Sequence, residues 1–166
     1  MNWFRLWKPV CTDGVIDLVP FRLAPPPAEM NFGRIYNFLI APHGRKLEMG
    51  QIELRMGEGR CVYYFGHIGY HIDPPYQGNR YAMRACMLLR PLIQASNKAH
   101  IVITTDLDNG ASRRTCELLG CEQERTVMVP EDVIARFDIS SQKVRFIWNI
   151  QNLPSRKSDS IINGDS

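Results

Sequence analysis

A strand-like segment runs into a helix in residues 72–89, IDPPYQGNRYAMRACMLL, with a glycine and an arginine at the junction. The amides of a helix's first turn have no carbonyl partners inside the helix, and the helix dipole is positive at that end. Such a start is a natural anion site. Gly78 has no Cβ to hold a ligand away from the backbone, and Gln77, Asn79 and Arg80 surround it with donors. The chemistry this favours is capture of a phosphate or pyrophosphate. The same spacing also suits a plain strand-to-helix turn in which the glycine serves geometry alone. Neither GxxxxGKS/T nor GxGxxG opens the helix, which removes nucleotide hydrolysis and dinucleotide redox chemistry as leading readings.

The elements that must position this turn can be read from hydrophobic period. Residues 15–23, VIDLVPFRL, predict a strand, and the proline-rich APPPAEMNFG that follows has no helical period. RIYNFLIA (34–41) predicts a second strand and PHGR a turn, with Gly44 suited to positive φ. KLEMGQIELRM (46–56) predicts a third strand whose apolar phase changes at Gly50, where a bulge is expected. CVYYFGHIGYHID (61–73) predicts a fourth strand. In the helix expected over 78–96, Ala82, Ala85, Cys86, Leu89, Leu92 and Ile93 share one buried face. HIVITT (100–105) predicts a buried strand parallel to the fourth. A second helix follows over 110–119, capped by Asp108 or Asn109 and stopped by Gly120. CEQERTVMV (121–129) and KVRFIWNI (143–150) close the sheet, with one helical turn in PEDVIARF. An antiparallel meander thus leads into a β-α-β unit, giving a mixed α/β (α+β) sheet.

Composition narrows the classes further. The 166 residues favour one domain, over residues 1–150, and a polar tail over 151–166. No apolar run approaches the length of a membrane span. MNWFRLWKPV lacks the apolar core of a signal peptide, so the cytoplasm is the expected location. Five cysteines without a CxxC pair fit neither a disulfide framework nor a metal site, and no metal is expected. A net charge of +3 permits an anionic ligand without suggesting a nucleic-acid partner.

The segment GYHIDPPYQGNRYAMRACMLL resembles the cofactor-binding motif of the GNAT superfamily of N-acetyltransferases. Gln77 and Ala82 match the ends of that motif and Gly78 its common second position, whereas Arg80 stands where the superfamily has its central glycine. DLDNGASRRTCELLGCE (106–122) resembles the superfamily's next strand-helix segment, with Asn109, Ser112, Glu117 and Gly120 in the recurrent places. The two motifs lie in the right order and at the right distance, and the resemblance spans roughly residues 14–150. The phrase IGYHIDPPYQG is closest to the ribosomal-protein N-terminal (Rim-type) branch.

That resemblance implies a GNAT-like, mostly antiparallel twisted sheet, acetyl-CoA as co-substrate and an amine acceptor attacking directly in a ternary complex. The pyrophosphate is expected on Gln77, Gly78, Asn79, Arg80, Tyr81 and Ala82. The pantetheine is expected along Ile68, Tyr70, His71 and Ile72, between splayed strands, with Asn109 and Ser112 beside it. An amide near Tyr70 or His71 would stabilise the charge developing on the thioester oxygen. Arg84, Lys98, Arg113 and Arg114 are candidates for an outer phosphate. Glu53, His67, His71 and Asp73 are candidates for the base that deprotonates the amine. Cys116 stands where many members have a tyrosine that protonates the leaving thiolate; its other reading is a small packing residue.

Members of the superfamily also carry one or two helices between their first two strands, and APPPAEMNFG is too short and too rich in proline to form them. An open acceptor site and a sheet face without cover are therefore expected, with homodimerisation through Trp3, Phe4, Trp7 or the Tyr63-Tyr64-Phe65 run as the remedy. Arg80 and Cys116 keep a second reading alive, a non-catalytic acyl-CoA sensor or scaffold. A nucleic-acid-binding domain is the third, and it lacks the basic stripe with stacking aromatics that it needs.

Overall fold

The computed structural model describes residues 7–151, so Trp3 and Phe4 lie outside the described residues. Eight strands among them form one sheet: β1 (Cys11–Thr12), β2 (Ile16–Phe21), β3 (Ile35–Pro42), β4 (Gly50–Arg55), β5 (Ile68–Ile72), β6 (His100–Asp106), β7 (Glu122–Met128) and β8 (Gln142–Asn149). The helices are α1 (Arg60–Phe65), α2 (Tyr81–Ala95), α3 (Gly110–Leu118) and α4 (Glu131–Phe137). The sheet order is β1-β2-β3-β4-β5-β6-β8-β7. Only the β5–β6 seam is parallel, and it carries a single registered pair, Ile68 with Ile103. The β5-α2-β6 unit therefore sits at the centre of an otherwise antiparallel sheet. This is the expected fold, with residues 22–34 reduced to a loop holding one 3-10 turn, Ala28–Met30.

The main core lies between the sheet and α2 with α3. Ala85, Cys86, Leu89 and Ile93 of α2 meet Ile16, Leu18, Ile40, Ile52, Ile68, Ile101 and Trp148. The strand residues alternate at period 2 and the helix residues at 3.6, so both patterns turn apolar surface to one interior. Asn109 caps α3 by accepting the Ser112 amide at 3.0 Å. Gly120 ends the segment at φ +74.

Two sequence expectations are corrected. The strand predicted over 61–73 is a helix followed by a strand, because Arg60–Phe65 forms α1 and only Ile68–Ile72 is extended. A short run apolar in both parities fits either state. Gly66 decides it: at φ +75 it ends α1, and a Cβ there would stand 2.9 Å from the Thr104 amide. The phase change expected at Gly50 is present: Gly50 is registered with Ile40, yet the Met49 amide also bonds the Ile40 carbonyl at 2.8 Å, so two residues oppose one as in a bulge, and Met49 joins Ile52 in the same core. A Cβ on Gly50 would lie 2.1 Å from the His71 carbonyl oxygen. The face expected to be bare is covered. Met30, Phe32 and Val62 form a second cluster with Phe65 and Phe137 packed on it. Phe65 meets Phe32 and Phe137 edge-on at 5.7 and 5.3 Å. The Tyr63-Tyr64-Phe65 run thus belongs to α1, with Phe65 packed on this cluster and Tyr63 exposed.

Candidate active site

The turn before α2 is built from two left-handed residues. Gly78 has φ +81 and Arg80 has φ +60. The Gln77 amide nitrogen donates to the Ile72 carbonyl at 2.8 Å, and that of Asn79 to the Tyr76 and Gln77 carbonyls at 3.0 and 3.2 Å. These bonds tie the turn to the end of β5. The Arg84 amide is the first to reach back into the helix, to the Arg80 carbonyl at 3.1 Å. The amides before it, from Tyr81 to Met83, are the helix's open donors. Residues 77–80 are exposed, and a Cβ on Gly78 would meet nothing within 4 Å. The arch is therefore open on its outer side. Arg80 adopts the left-handed conformation that explains a glycine at that place, at a cost of about 1 kcal/mol.

Below the turn, β5 and β6 part. The Arg55 amide bonds the His67 carbonyl at 2.7 Å and the Asp73 amide bonds the Met49 carbonyl at 2.9 Å. By antiparallel alternation, the main-chain groups of Gly69, His71 and Asp73 and the His67 carbonyl serve β4, those of Ile68, Tyr70 and Ile72 face β6, and the His67 amide bonds the Val102 carbonyl of β6 at 2.7 Å. The ladder with β6 ends at Ile68–Ile103, so the Tyr70 amide and carbonyl face a gap, while the Ile72 carbonyl is taken by Gln77. The gap is a cleft of about 170 Å³ lined by Gly69, Tyr70, Thr105, Asn109, Ser112 and Lys143, among others. The Tyr70 hydroxyl spans it to the Ser112 hydroxyl at 2.9 Å. Burial pushes the Tyr70 phenol up to about 12, so it stays protonated at any ordinary pH.

The four candidate bases fall in different places. Glu53 and Arg55 share one face of β4, where the guanidinium pairs with the Glu53 carboxylate. Arg55 also donates to the Phe65 and Gly66 carbonyls at 3.2 Å each, and its end lies 2.8 Å from where Gly69 would carry a Cβ. Glu53 is opposite Gly69 in register and lines a second cavity, of about 350 Å³, with Pro25, Phe32 and Asn37. His71 is exposed and stands 3.2 Å from Asp73. His67 is buried elsewhere, with Nδ1 accepting the Val102 amide at 2.9 Å. Burial, which disfavours the charged imidazolium, lowers it to about 4. It does not line the cleft.

Cys116 is fully buried in the main core. A hydrogen bond with Cys121, aided by burial, drives its thiol far upward. It packs in the core and is not among the residues that line the cleft. The outer-phosphate candidates also separate. Arg84 is held by Asp13 at 2.7 Å and Arg114 by Glu117 at 2.9 Å. Arg113 bonds the Leu107 carbonyl at 3.3 Å. Lys98 lies past the far end of α2, about 20 Å from its start by helix rise. Arg55 and the Tyr70 hydroxyl were not singled out from sequence. The Glu-x-Arg pattern at 53–55 on one strand face was the available signal for the first. Among the described residues, no group of three His, Cys, Asp or Glu side chains is placed to hold a metal, and no helix is long and apolar enough to cross a membrane.

Residues 21–122 match the family model for the acetyltransferase (GNAT) domain. No curated protein matches the chain at a significant level. Among solved structures, Mycobacterium smegmatis RimJ in complex with CoA-disulfide is similar with a TM-score of 0.56 and 20% identity, over 74% of this chain and 56% of that one. A ribosomal-protein-S5-alanine acetyltransferase from Vibrio fischeri has a TM-score of 0.55 at 18% identity, over 73% of this chain and 64% of that one. The microcin C7 self-immunity acetyltransferase MccE, in complex with acetyl-CoA and AMP, has a TM-score of 0.54 at 18% identity, over 70% and 61%. The chain thus spans less than two thirds of the length of each, and the likenesses show a shared fold. Because the family model covers more than half of its length, this chain belongs to the GNAT acetyltransferase family.

Proposed function

We propose that this protein transfers an acetyl group from acetyl-CoA to a primary amine, by direct attack in a ternary complex. A protein N-terminus is the favoured acceptor, on the likeness to ribosomal-protein acetyltransferases, with lysine and small amines as the alternatives. The observation that carries the reading is the end of the β5–β6 ladder at Ile68–Ile103, directly below an open, glycine-bearing helix start. An unpaired strand edge accepts an extended amide-bearing chain as an added strand. The unpaired amides at the helix start suit the pyrophosphate. The residues present therefore fit acetyl-CoA: Gln77, Gly78, Asn79, Arg80, Tyr81 and Ala82 at the phosphates, Ile68, Tyr70 and Ile72 along the pantetheine arm, and Asn109 and Ser112 opposite. When bound, it supplies an activated acyl group on a good leaving group.

The chain's own groups divide the remaining work. The Tyr70 amide, left without a strand partner, donates toward charge on the thioester oxygen. We assign the base to Glu53, directly or through one water. It lines the neighbouring cavity with Pro25, Phe32 and Asn37, which this reading takes as the acceptor side, and Arg55 orients it by gripping both the carboxylate and the end of α1. The proton for the departing sulfur is assigned to the Tyr70 hydroxyl, the protonated phenol in the cleft, with Ser112 positioning it. This reading takes residues 1–150 as one domain and 151–166 as a tail.

Calorimetric titration with acetyl-CoA and CoA, on the wild type and on Gly78→Asp, tests it. Micromolar binding that is lost in the variant is expected, followed by amine-dependent thiol release. Wild-type binding with no release from any amine would favour the sensor reading, and no binding at all would overturn both.

A further inference from the structure

A third cavity lies at the N-terminal end of α1, and we propose that it binds a small oxyanion, a carboxylate or phosphate, independently of the acetyl-transfer cleft. It measures about 350 Å³, and Val62, Tyr63, His67, Lys98 and Arg145 line it, with Glu58 at its mouth.

His67 carries the argument. It is 5% exposed, and its Nδ1 is committed to the Val102 amide at 2.9 Å. An imidazole that accepts at Nδ1 and is neutral must hold its proton at Nε2. That Nε2 has no hydrogen-bond partner among the described residues, and the Gly57 backbone exerts only the weakest of the influences on it. A buried donor without an acceptor costs on the order of 1–3 kcal/mol, so the cavity calls for an acceptor there.

The neighbouring charges define which acceptor. The Lys98 side chain is 16% exposed and that of Arg145 8%. Arg145 is fixed by Glu124 at 2.7 Å and by the Tyr63 carbonyl, with its guanidinium 3.9 Å above the Tyr63 ring. His100 stands at the rim. The carboxylate facing Lys98 is that of Glu58, whose side chain is 73% exposed. One oxygen of it pairs with Lys98 and stops 3.7 Å short of His67 Nε2, too far to bond. Glu58 is an internal stand-in that reaches the lysine and misses the histidine. A free oxyanion inside the cavity satisfies both, with Val62 and the Tyr63 ring as an apolar wall for any body it carries. Recognition then rests on three convergent donors: Nε2–H, the ammonium and the guanidinium.

The test is a heteronuclear NMR titration of the His67 ring with inorganic phosphate and, separately, with benzoate. A saturable shift of the Nε2 resonance is expected, persisting in excess CoA. Lys98→Ala is expected to weaken binding about tenfold, the loss of roughly one charge-assisted bond, with Lys98→Arg restoring most of it. Glu58→Gln is expected to tighten binding, because the competing carboxylate is gone. Phosphate acting without benzoate would assign the site to inorganic or ester phosphate, and the reverse to organic carboxylates. No shift at His67, a shift indifferent to Lys98, or one abolished by CoA would overturn the proposal.

Discussion

The two edges of β5 differ sharply. Toward β4, the pairs run unbroken from Gly50–Ile72 to Leu54–Ile68. Toward β6, pairing stops after Ile68–Ile103. One edge is sealed by glycine and the other left open by loss of register. At Gly50 the absence of a Cβ lets the His71 carbonyl come close. On the open edge the tyrosine side chain, rather than a strand, bridges the gap to α3. A sheet therefore makes a ligand cleft by ending one ladder while its neighbour holds the strand rigid. The cleft needs both: an open seam beside a loose one would not keep the Tyr70 amide in place.

The largest effect should come from the open edge. Tyr70→Phe is expected to lower kcat about 100-fold, as loss of a general acid does, with CoA affinity by calorimetry little changed. Cys116→Ala should leave kcat near wild type and cost about 1 kcal/mol in chemical denaturation, the signature of a small core void. If the two variants exchange these phenotypes, the acid sits on α3 and the Tyr70 assignment is wrong.

The sealed edge predicts a stability effect. Gly50→Ala should cost about 3 kcal/mol by overpacking against the His71 carbonyl. Gly44→Ala, where φ is +70 and a Cβ meets nothing within 4 Å, should cost only about 1 kcal/mol. Equal melting temperatures for the two would show that β4 and β5 are not held as closely as described.

A smaller effect distinguishes the cavity at His67 from the cleft. His67 is lowered to about 4 in the fold against an ordinary 6.5, so the unfolded chain binds its proton first as pH falls. Stability is expected to drop between pH 6.5 and 4 by up to about 3 kcal/mol. Asp17 behaves oppositely in range. Burial works to raise its carboxyl, but bonds from Thr12, His43 at 2.8 Å and the Gly44 amide at 2.9 Å outweigh it and hold it low. Its contribution is present above the ordinary carboxylate range and is lost only below it. Urea denaturation across pH checks this: His67→Gln should flatten the slope between pH 6.5 and 4 and leave the steeper acid limb intact.

Much of the fold was legible before any coordinates. β-branched and large apolar residues mark Ile16–Phe21 and Ile35–Pro42 as strands, and period 3.6 in α2 reports burial directly, because a helical side chain's environment is set by its own element's geometry. The cap at Asn109 and the stops at Gly120 and Gly66 are likewise local chemistry, although the last was read as lying inside a strand. The apolar run at 61–65 was not legible, since it satisfies both periods and only packing against Phe32 and Phe137 selects the helix.

The sequence by itself determined the family, the anion-suited turn at Gln77–Ala82 and the strand that leads to it, because these depend on residue type at short spacing. Tertiary structure alone decided which titratable groups meet. Glu53, His67 and His71 are all titratable groups on or next to the paired strands β4 and β5, yet one pairs with Arg55 and lines a separate cavity, one is buried at another and one faces solvent. Tyr70 and Ser112 meet across 42 residues, and His67 and Val102 across 35. Such contacts follow from how the strands are ordered and where the β5–β6 register ends, which no local pattern of residues encodes.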